Sequence, residues 1–244
     1  MPDAFGRALR DHHRDDRDEP LRQRDGEAAR DHPIDAFYFD SVDPSDPSHA
    51  WIESHLSGPL VDLGAGVGRD ALYFQERFET VALESSPALV EAMRERGVDD
   101  ARQGDMFALR DAFERDRFRS ALVNGTQVGL AGSMRGLTAF LNDLAHVTTP
   151  DATAVIDGYD PDHEATRDLL GYRHDPTPGL ADRVMAFEYG SERDPILRVR
   201  LFSPDRVREA AVGTDWRVSA IRRGSDDDSP YYRAALATGA PENL

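Results

Sequence analysis

The chain of 244 residues contains no cysteine and no lysine, so all 29 of its basic residues are arginine. The lack of cysteine excludes disulfides, iron–sulfur clusters, cysteine-bound zinc and a cysteine nucleophile. No apolar run approaches the ~20 residues of a membrane-spanning helix. The first 30 residues are too highly charged for a secretory signal. We therefore expect no membrane association and a cytoplasmic location.

Acidic residues outnumber basic ones throughout the sequence. The 46 Asp and Glu residues give a formal net charge of −17, and 32 of them are aspartate. A partner-binding acidic face is one interpretation, but the acids are scattered along the whole chain. That distribution resembles halophilic cytosolic proteins, for which 1 M salt screens charge repulsion to ~3 Å. Nonspecific nucleic-acid binding is not expected at this net charge.

The charge pattern divides the chain into a short lead and a longer domain. Residues 1–33 carry 16 charged side chains and little apolar material. Such a composition predicts a disordered or loosely helical lead. Folded structure is expected to begin near Ile34, which gives a single domain over residues 34–244.

Short apolar runs alternate with helical patterns from residue 60 onwards. This alternation predicts a parallel α/β sheet with helices on both faces. A pair of extended runs within 183–202 then predicts an antiparallel hairpin, and two late strands are expected on either side of a loop at 224–230. The predicted strands of the α/β core cover residues 60–63, 80–84, 99–103, 118–123, 152–156, 216–221 and 231–237.

A glycine-rich segment, Asp62-Leu63-Gly64-Ala65-Gly66-Val67-Gly68, follows the first predicted strand. Alternating glycines allow a sharp turn and a close approach of a ligand to the backbone. The spacing differs from the G-x-G-x-x-G of dinucleotide sites, which would require glycine at Arg69. A carboxylate at Asp62 would also repel a pyrophosphate. The pattern favours a ligand with a cationic amino-acid head group over a nicotinamide dinucleotide, so an oxidoreductase is disfavoured.

Further acidic residues follow the next two predicted strands. Glu84 ends the second strand, a position at which carboxylates accept hydrogen bonds from ribose hydroxyls. Asp105, after the third strand, could accept a hydrogen bond from an adenine amino group, with Met106 packed on the ring. The alternatives are a surface glutamate before a helix and an aspartate that caps one.

Together these residues resemble the class I S-adenosylmethionine-dependent methyltransferase family over roughly residues 34–244. The resemblance implies a Rossmann-like, doubly wound α/β fold: a seven-stranded sheet, mostly parallel with an antiparallel last strand, plus the small hairpin insertion. It implies S-adenosylmethionine as cofactor. The implied cofactor-binding residues are Tyr38, Asp62, Gly64, Ala65, Gly66, Gly68, Glu84, Asp105, Met106 and Asn124.

Within that family, the sequence resembles the members that methylate small molecules. Their aromatic N-terminal helix, which closes over the cofactor, matches Phe37-Tyr38-Phe39, and their strand insertion near the substrate pocket matches residues 183–202. The resemblance therefore implies a small-molecule methyl acceptor and no nucleic-acid substrate. A catalytically silent module that binds the cofactor or a partner is the alternative.

No catalytic signature is recognisable in the sequence. The amide-methylating N-P-P-Y motif is absent after the fourth strand, where the residues are Asn124-Gly125-Thr126-Gln127. His146, His163 and His174 are candidate general bases, but none stands in a known motif. No metal site is expected, because the carboxylates near His163 are typical of the acidic background of this chain.

Overall fold

Two β-sheets with flanking helices form the structure, a computed structural model that describes residues 2–224 and 229–239. The helices are α1 (Ala4–His13), α2 (Pro47–Glu53), α3 (Arg69–Gln75), α4 (Pro87–Arg96), α5 (Leu109–Ala112), α6 (Met134–Val147) and α7 (Pro204–Ala211). The strands are β1 (Arg22–Asp25), β2 (Ala28–Asp31), β3 (Leu60–Leu63), β4 (Thr80–Glu84), β5 (Ala101–Gln103), β6 (Phe118–Val123), β7 (Thr148–Tyr159), β8 (Tyr172–His174), β9 (Leu180–Tyr189), β10 (Glu192–Arg193), β11 (Leu197–Phe202), β12 (Trp216–Arg223) and β13 (Tyr231–Thr238). Residues 225–228 of the predicted loop and residues 240–244 of the predicted domain lie outside the described residues.

The larger sheet has seven strands in the order β12-β13-β7-β6-β3-β4-β5. Strands β3 to β7 run parallel, and β13 lies antiparallel to both of its neighbours. All residues of β3 and β4 are buried, as expected for central strands covered by helices on both faces. The predicted Rossmann-like sheet with an antiparallel last strand is confirmed.

Local sequence signals set the ends of the helices that cover this sheet. Ser86 caps α4 by accepting a hydrogen bond from the Leu89 N–H at 3.2 Å, and Gly97 ends the helix with a φ of 93°. Ser133 caps α6 in the same way, through the Gly136 N–H at 3.0 Å. The N-terminal ends of α4 and α6 are therefore fixed by the serine that directly precedes each helix.

The second sheet has six strands centred on β9, which pairs antiparallel with β1, β8, β10 and β11. Pairing of β9 with β11 confirms the antiparallel hairpin predicted within residues 183–202. The hairpin is not an isolated insertion, however, because β1 and β2 extend its sheet from the N-terminal part of the chain.

The N-terminal segment is folded in the structure, which corrects the expectation of a disordered lead over residues 1–33. Ala4, Ala8 and Leu9 of α1 are fully buried, in a cluster shared with α4. The carboxylate of Asp194 holds the start of α1 by accepting hydrogen bonds from the N–H groups of Ala4 at 2.6 Å and Phe5 at 3.0 Å. The apolar stripe of α1 is short and its neighbours in sequence are charged, so composition alone concealed it.

Candidate functional site

The glycine loop connects β3 to α3 at the carboxyl edge of the larger sheet. Gly64, Gly66 and Gly68 adopt φ angles of 70°, 60° and 78°, which glycine adopts without strain. At Gly66 a Cβ atom would lie 3.7 Å from the ring of Tyr38, so this aromatic side chain covers the loop. The sequence-predicted residues Tyr38 and Gly66 are therefore neighbours.

Glu84, the last residue of β4, is bound to the glycine loop. Its Oε2 accepts a hydrogen bond from the Gly66 N–H at 3.0 Å, and its Oε1 accepts from the N–H groups of Ser85 at 2.7 Å and Ser86 at 3.1 Å. Burial raises the pKa of the Glu84 carboxyl, although these N–H donors favour the charged form and oppose the rise. The carboxylate thus lies where β4 and the loop meet.

Asp62 is a buried carboxyl group in the strand that enters the loop. Only 3% of its surface is exposed, and its Oδ2 has no hydrogen-bond partner. Burial raises the pKa of Asp62 well above its usual value, the negative charge of Asp70 raises it further, and the positive charge of Arg69 opposes both. A buried acceptor without a donor is unusual in proteins, and it fits a cationic or hydrogen-bonding ligand.

A polar network joins the ends of the central strands beside the loop. The Asn124 Nδ2 donates to Asp70 at 2.8 Å, and the Tyr231 hydroxyl lies 3.4 Å from the Asn124 Oδ1. The same hydroxyl donates to Asp157, which also accepts a hydrogen bond from the Gly125 N–H at 2.8 Å. Asn124 therefore lies in a preorganised network at the sheet edge, in which Asp70 and Asp157 are buried and Asn124 and Tyr231 are half-buried.

Asp105 and Met106 follow β5 at the far end of the same edge. Asp105 is exposed, and its Oδ1 accepts a hydrogen bond from the Phe107 N–H at 2.8 Å. Met106 is 6% exposed and packs in the main core with Leu83. The alternative that Asp105 caps the following helix is wrong, because α5 begins at Leu109 with Ala108 as its N-cap, and the Asp105 carboxylate instead closes a turn with Phe107.

Aromatic side chains cover the loop from the N-terminal side. The Tyr38 hydroxyl lies 2.9 Å from the His32 Nε2. The Tyr38 ring makes an edge contact with the Phe5 ring, with ring centroids 5.6 Å apart. Arg69 anchors this aromatic turn by donating to the Phe37 carbonyl oxygen at 3.0 Å. Burial lowers the pKa of His32 to about 4, and the positive charge of Arg183 contributes. His32 is therefore neutral near pH 7 and accepts or donates as a neutral ring.

None of the three histidines proposed from the sequence as general bases has a described contact with the glycine loop or the polar network. His146 lies 3.5 Å from Arg110, His163 accepts a hydrogen bond from the Ala165 N–H at 3.2 Å, and His174 is exposed on β8. In the ranges 2–224 and 229–239, no group of three or more His, Asp or Glu side chains could hold a metal ion. No helix of the described chain is long and apolar enough to cross a bilayer.

Comparisons with known proteins agree with this architecture. No family model and no curated protein matches the chain. A methyltransferase structure from Bacteroides fragilis in complex with S-adenosyl-L-homocysteine matches at a TM-score of 0.76 and 21% identity, covering 98% of this chain and 96% of that one. The chain has the class I methyltransferase fold. At this identity the likeness establishes the fold alone.

Two further methyltransferase-fold structures illustrate the range of neighbours. The 1,6-didemethyltoxoflavin-N1-methyltransferase of Burkholderia thailandensis matches at a TM-score of 0.52 and 18% identity, covering 80% of this chain and 78% of its own. The glycopeptide N-methyltransferase MtfA matches at a TM-score of 0.56 and 20% identity, covering 79% of this chain and 88% of its own.

Several residues at this edge of the methyltransferase fold were not predicted from the sequence. Three of them lie in the polar network: Asp70, Asp157 and Tyr231. The fourth, His32, lies beside Tyr38 in the aromatic cover, and none was assigned a role from a sequence motif. Asp157 directly follows the predicted strand 152–156 and Tyr231 begins the predicted strand 231–237, so their places at predicted strand ends were the available signal.

Proposed function

We propose that this chain is an S-adenosylmethionine-dependent methyltransferase that acts on a small-molecule acceptor. The observation that carries the proposal is the arrangement of two buried carboxyl groups at the glycine loop of a methyltransferase fold. Asp62 has an oxygen without a hydrogen-bond donor, and Glu84 is hydrogen-bonded to Gly66. A chain that bound no ligand here would have little reason to bury both groups, since buried charges are costly unless paired.

The chemistry of these side chains fits the proposed cofactor, which carries an ammonium and a sulfonium group. The unpartnered Asp62 Oδ2 fits the ammonium, and Glu84 stands at the strand end where carboxylates accept ribose hydroxyls. Asp105 and Met106 are assigned to the adenine end. The remaining proposed contacts are the main chain of Gly64, Ala65, Gly66 and Gly68 with Tyr38 and Asn124 on either side.

Methyl transfer requires the protein mainly to align the acceptor and to exclude water. Held by these residues, the cofactor would supply a methyl group that is activated by its sulfonium sulfur. Tyr38 and Phe5 exclude water from the loop side, and Asn124 and Tyr231 present polar groups along the sheet edge. Burial and the nearby charge of Asp157 raise the pKa of Tyr231 well above its usual value, so its hydroxyl stays protonated and acts as a donor.

Small-molecule acceptors are supported by what the neighbours are named for. One was crystallised with the small heterocycle 1,6-didemethyltoxoflavin and S-adenosylhomocysteine, and another is named as a glycopeptide N-methyltransferase. The second sheet also packs against this edge, since Tyr159 at the end of β7 lies in one cluster with Met185 of β9 and Val199 of β11, and this packing favours a small acceptor.

Calorimetric titration with S-adenosylhomocysteine tests the proposal. We expect one binding site per chain and no comparable binding of NAD. Transfer of labelled methyl groups from S-adenosylmethionine to a panel of small acceptors then separates an enzyme from a silent cofactor-binding module, which would bind the cofactor and transfer nothing. Absence of S-adenosylhomocysteine binding would contradict both.

A further inference from the structure

Two arginines are buried within residues 2–224 and 229–239, and they lie on the paired strands β9 and β11. Arg200, 8% exposed, forms ion pairs with Asp175 at 2.6 Å and Asp182 at 2.9 Å. Arg183, 9% exposed, forms no ion pair with any described residue. The two side chains are equally buried but differ in whether their charge is balanced.

The contacts of Arg183 are weak substitutes for a carboxylate. Its Nε donates to the Leu170 carbonyl oxygen at 3.2 Å, and its Nη2 approaches the Met185 sulfur at 3.7 Å. Its Nη1 has no partner among the described residues. Burying an unpaired cation is costly, and proteins ordinarily avoid it. In a chain with 46 acidic residues, a buried arginine that faces no carboxylate is a marked exception.

The position of Arg183 relates it to the proposed cofactor site. Alternation along β9 places Arg183 on the same face as Met185 and Phe187, which pack in one cluster with Tyr159 at the carboxyl end of β7. His32, the partner of Tyr38, contacts Phe187 with ring centroids 5.4 Å apart. The charge of Arg183 favours the neutral form of His32 and opposes the raised pKa of Tyr159.

Tyr159 links this face to the polar network. Its ring makes an edge contact with Tyr231 at 5.6 Å, and the Tyr231 hydroxyl reaches Asn124. A molecule lying between Arg183 and Asn124 would therefore meet aromatic rings along its length, a cation at one end and the proposed methyl-transfer position at the other. This is the layout expected of an acceptor pocket with one charged anchor.

We propose that Arg183 binds an oxyanion group, a carboxylate or a phosphate, of the methyl acceptor, and that Tyr159 and Phe187 contact the apolar body of the same molecule. The inference rests on the proposed methyltransferase function and adds the acceptor's chemical class to it. A guanidinium suits this role because its planar donors match the two oxygens of an oxyanion.

Model anions test this inference on the complete protein with saturating S-adenosylhomocysteine. We expect calorimetry or ligand-observed NMR to show that benzoate or phenyl phosphate binds at least about tenfold more tightly than neutral benzamide. The stronger of the two anions identifies the oxyanion as carboxylate or phosphate. Because the net charge of −17 repels anions at long range, such a preference must arise from a local cationic site.

Variants assign the preference to Arg183. We expect Arg183→Gln to lose about tenfold or more in benzoate affinity and Arg183→Lys to retain part of it. Arg198→Gln is the matched control, because Arg198 lies in the same sheet, is largely exposed and pairs with Asp182 on the opposite face. All three variants should bind S-adenosylhomocysteine within about twofold of the wild type.

The outcomes separate this inference from the function on which it rests. Equal binding of benzoate and benzamide to the wild type would overturn the inference, and this comparison decides it even where Arg183→Gln does not fold. Loss of S-adenosylhomocysteine affinity in Arg183→Gln with the anion preference kept would also overturn it and would assign the arginine to the cofactor. If the wild type binds no S-adenosylhomocysteine, the proposed function fails. The affinities of benzoate and benzamide are then compared on the ligand-free protein and still decide whether an oxyanion site exists.

Discussion

The Glu84 carboxylate accepts a hydrogen bond from the Gly66 N–H across 3.0 Å, and this contact joins the end of β4 to the loop that follows β3. The contact requires the backbone of Gly66 to turn its N–H toward the neighbouring strand, which it does at a φ of 60°. A carboxylate and a stretch of bare main chain thereby face the same space. The site depends on the loop conformation as much as on the acid.

Gly66→Asp is expected to weaken S-adenosylhomocysteine binding by about a hundredfold or more. The new side chain would occupy a strained φ, approach the Tyr38 ring and place a second negative charge beside Glu84. Calorimetry measures the affinity, and circular dichroism reports the fold.

Gly26→Asp is a closely matched control for that variant. Gly26 has a φ of 58°, and a Cβ there would meet nothing within 4 Å. The backbone strain is thus the same, but the site is untouched. An affinity of Gly66→Asp within about twofold of the control would exclude the glycine loop as the cofactor site.

Asp62→Asn is expected to stabilise the ligand-free protein while weakening cofactor binding. The folded-state pKa of Asp62 lies above its usual 3.8, so the native state holds this proton more tightly than the unfolded chain. The contribution of Asp62 to stability therefore falls as pH rises from 3.8 through the raised pKa. Asparagine removes that loss and should add about 1–3 kcal/mol to the free energy of unfolding at pH 7.

Urea titrations between pH 4 and pH 8 measure this effect. The gain from Asp62→Asn should grow with pH, while affinity for S-adenosylhomocysteine should drop about tenfold because the ammonium loses its counter-charge. Asp111→Asn, at an exposed aspartate of α5, should change neither quantity. A destabilised Asp62→Asn protein at pH 7 would show that the carboxylate is satisfied without a ligand.

The core of the fold and the loop were predictable because their signals are local. Strands such as 60–63 and 80–84 are short apolar runs, and the glycines and caps lie beside them in sequence. The pairing of β9 with β1 was not predictable in this way, since β1 is the polar segment Arg22–Asp25 and has no buried residue. Its strand conformation comes from pairing with residues more than 160 positions away.

The same distinction holds within the site. Asp62 and Glu84 lie near the ends of β3 and β4 and Gly66 lies in the loop after β3, so the strand pattern of the sequence predicted that they meet at one edge. The contact of Asp157 with Tyr231 arises from the antiparallel register of β7 and β13, in which Asp157 opposes Arg233 and Tyr159 opposes Tyr231. Register between strands separated by some 70 residues is a tertiary property that hydrophobic pattern alone leaves open.

His32→Gln is expected to reduce the loss of stability in mild acid. The pKa of His32 falls from 6.5 to about 4 on folding, because burial and the positive charge of Arg183 disfavour the imidazolium. Between pH 4 and pH 6.5, His32 is protonated in the unfolded chain and neutral in the native state. The contribution of neutral His32 to the free energy of unfolding is complete above pH 6.5. It is lost as pH falls toward 4, by up to about 3 kcal/mol.

Urea unfolding of His32→Gln and the wild type across pH 4 to 7 isolates this contribution, since the difference between the two curves cancels the other titrating groups. His174→Gln, at an exposed position on β8, serves as control and should keep the wild-type slope. Parallel curves for His32→Gln and the wild type would show that His32 titrates equally in both states.

Leu9→Ala tests whether the N-terminal helix is part of the folded domain. Leu9 is fully buried in the cluster between α1 and α4, so truncation should cost about 2–4 kcal/mol in the free energy of unfolding. Ile196→Ala removes similar apolar bulk from a side chain that is 72% exposed, and should cost less than about 0.5 kcal/mol. Because Ser86, the N-cap of α4, lies two residues after Glu84, we also expect Leu9→Ala to weaken S-adenosylhomocysteine binding several-fold. Equal stability of the two variants in urea would instead show that α1 does not contribute to the cooperative unit.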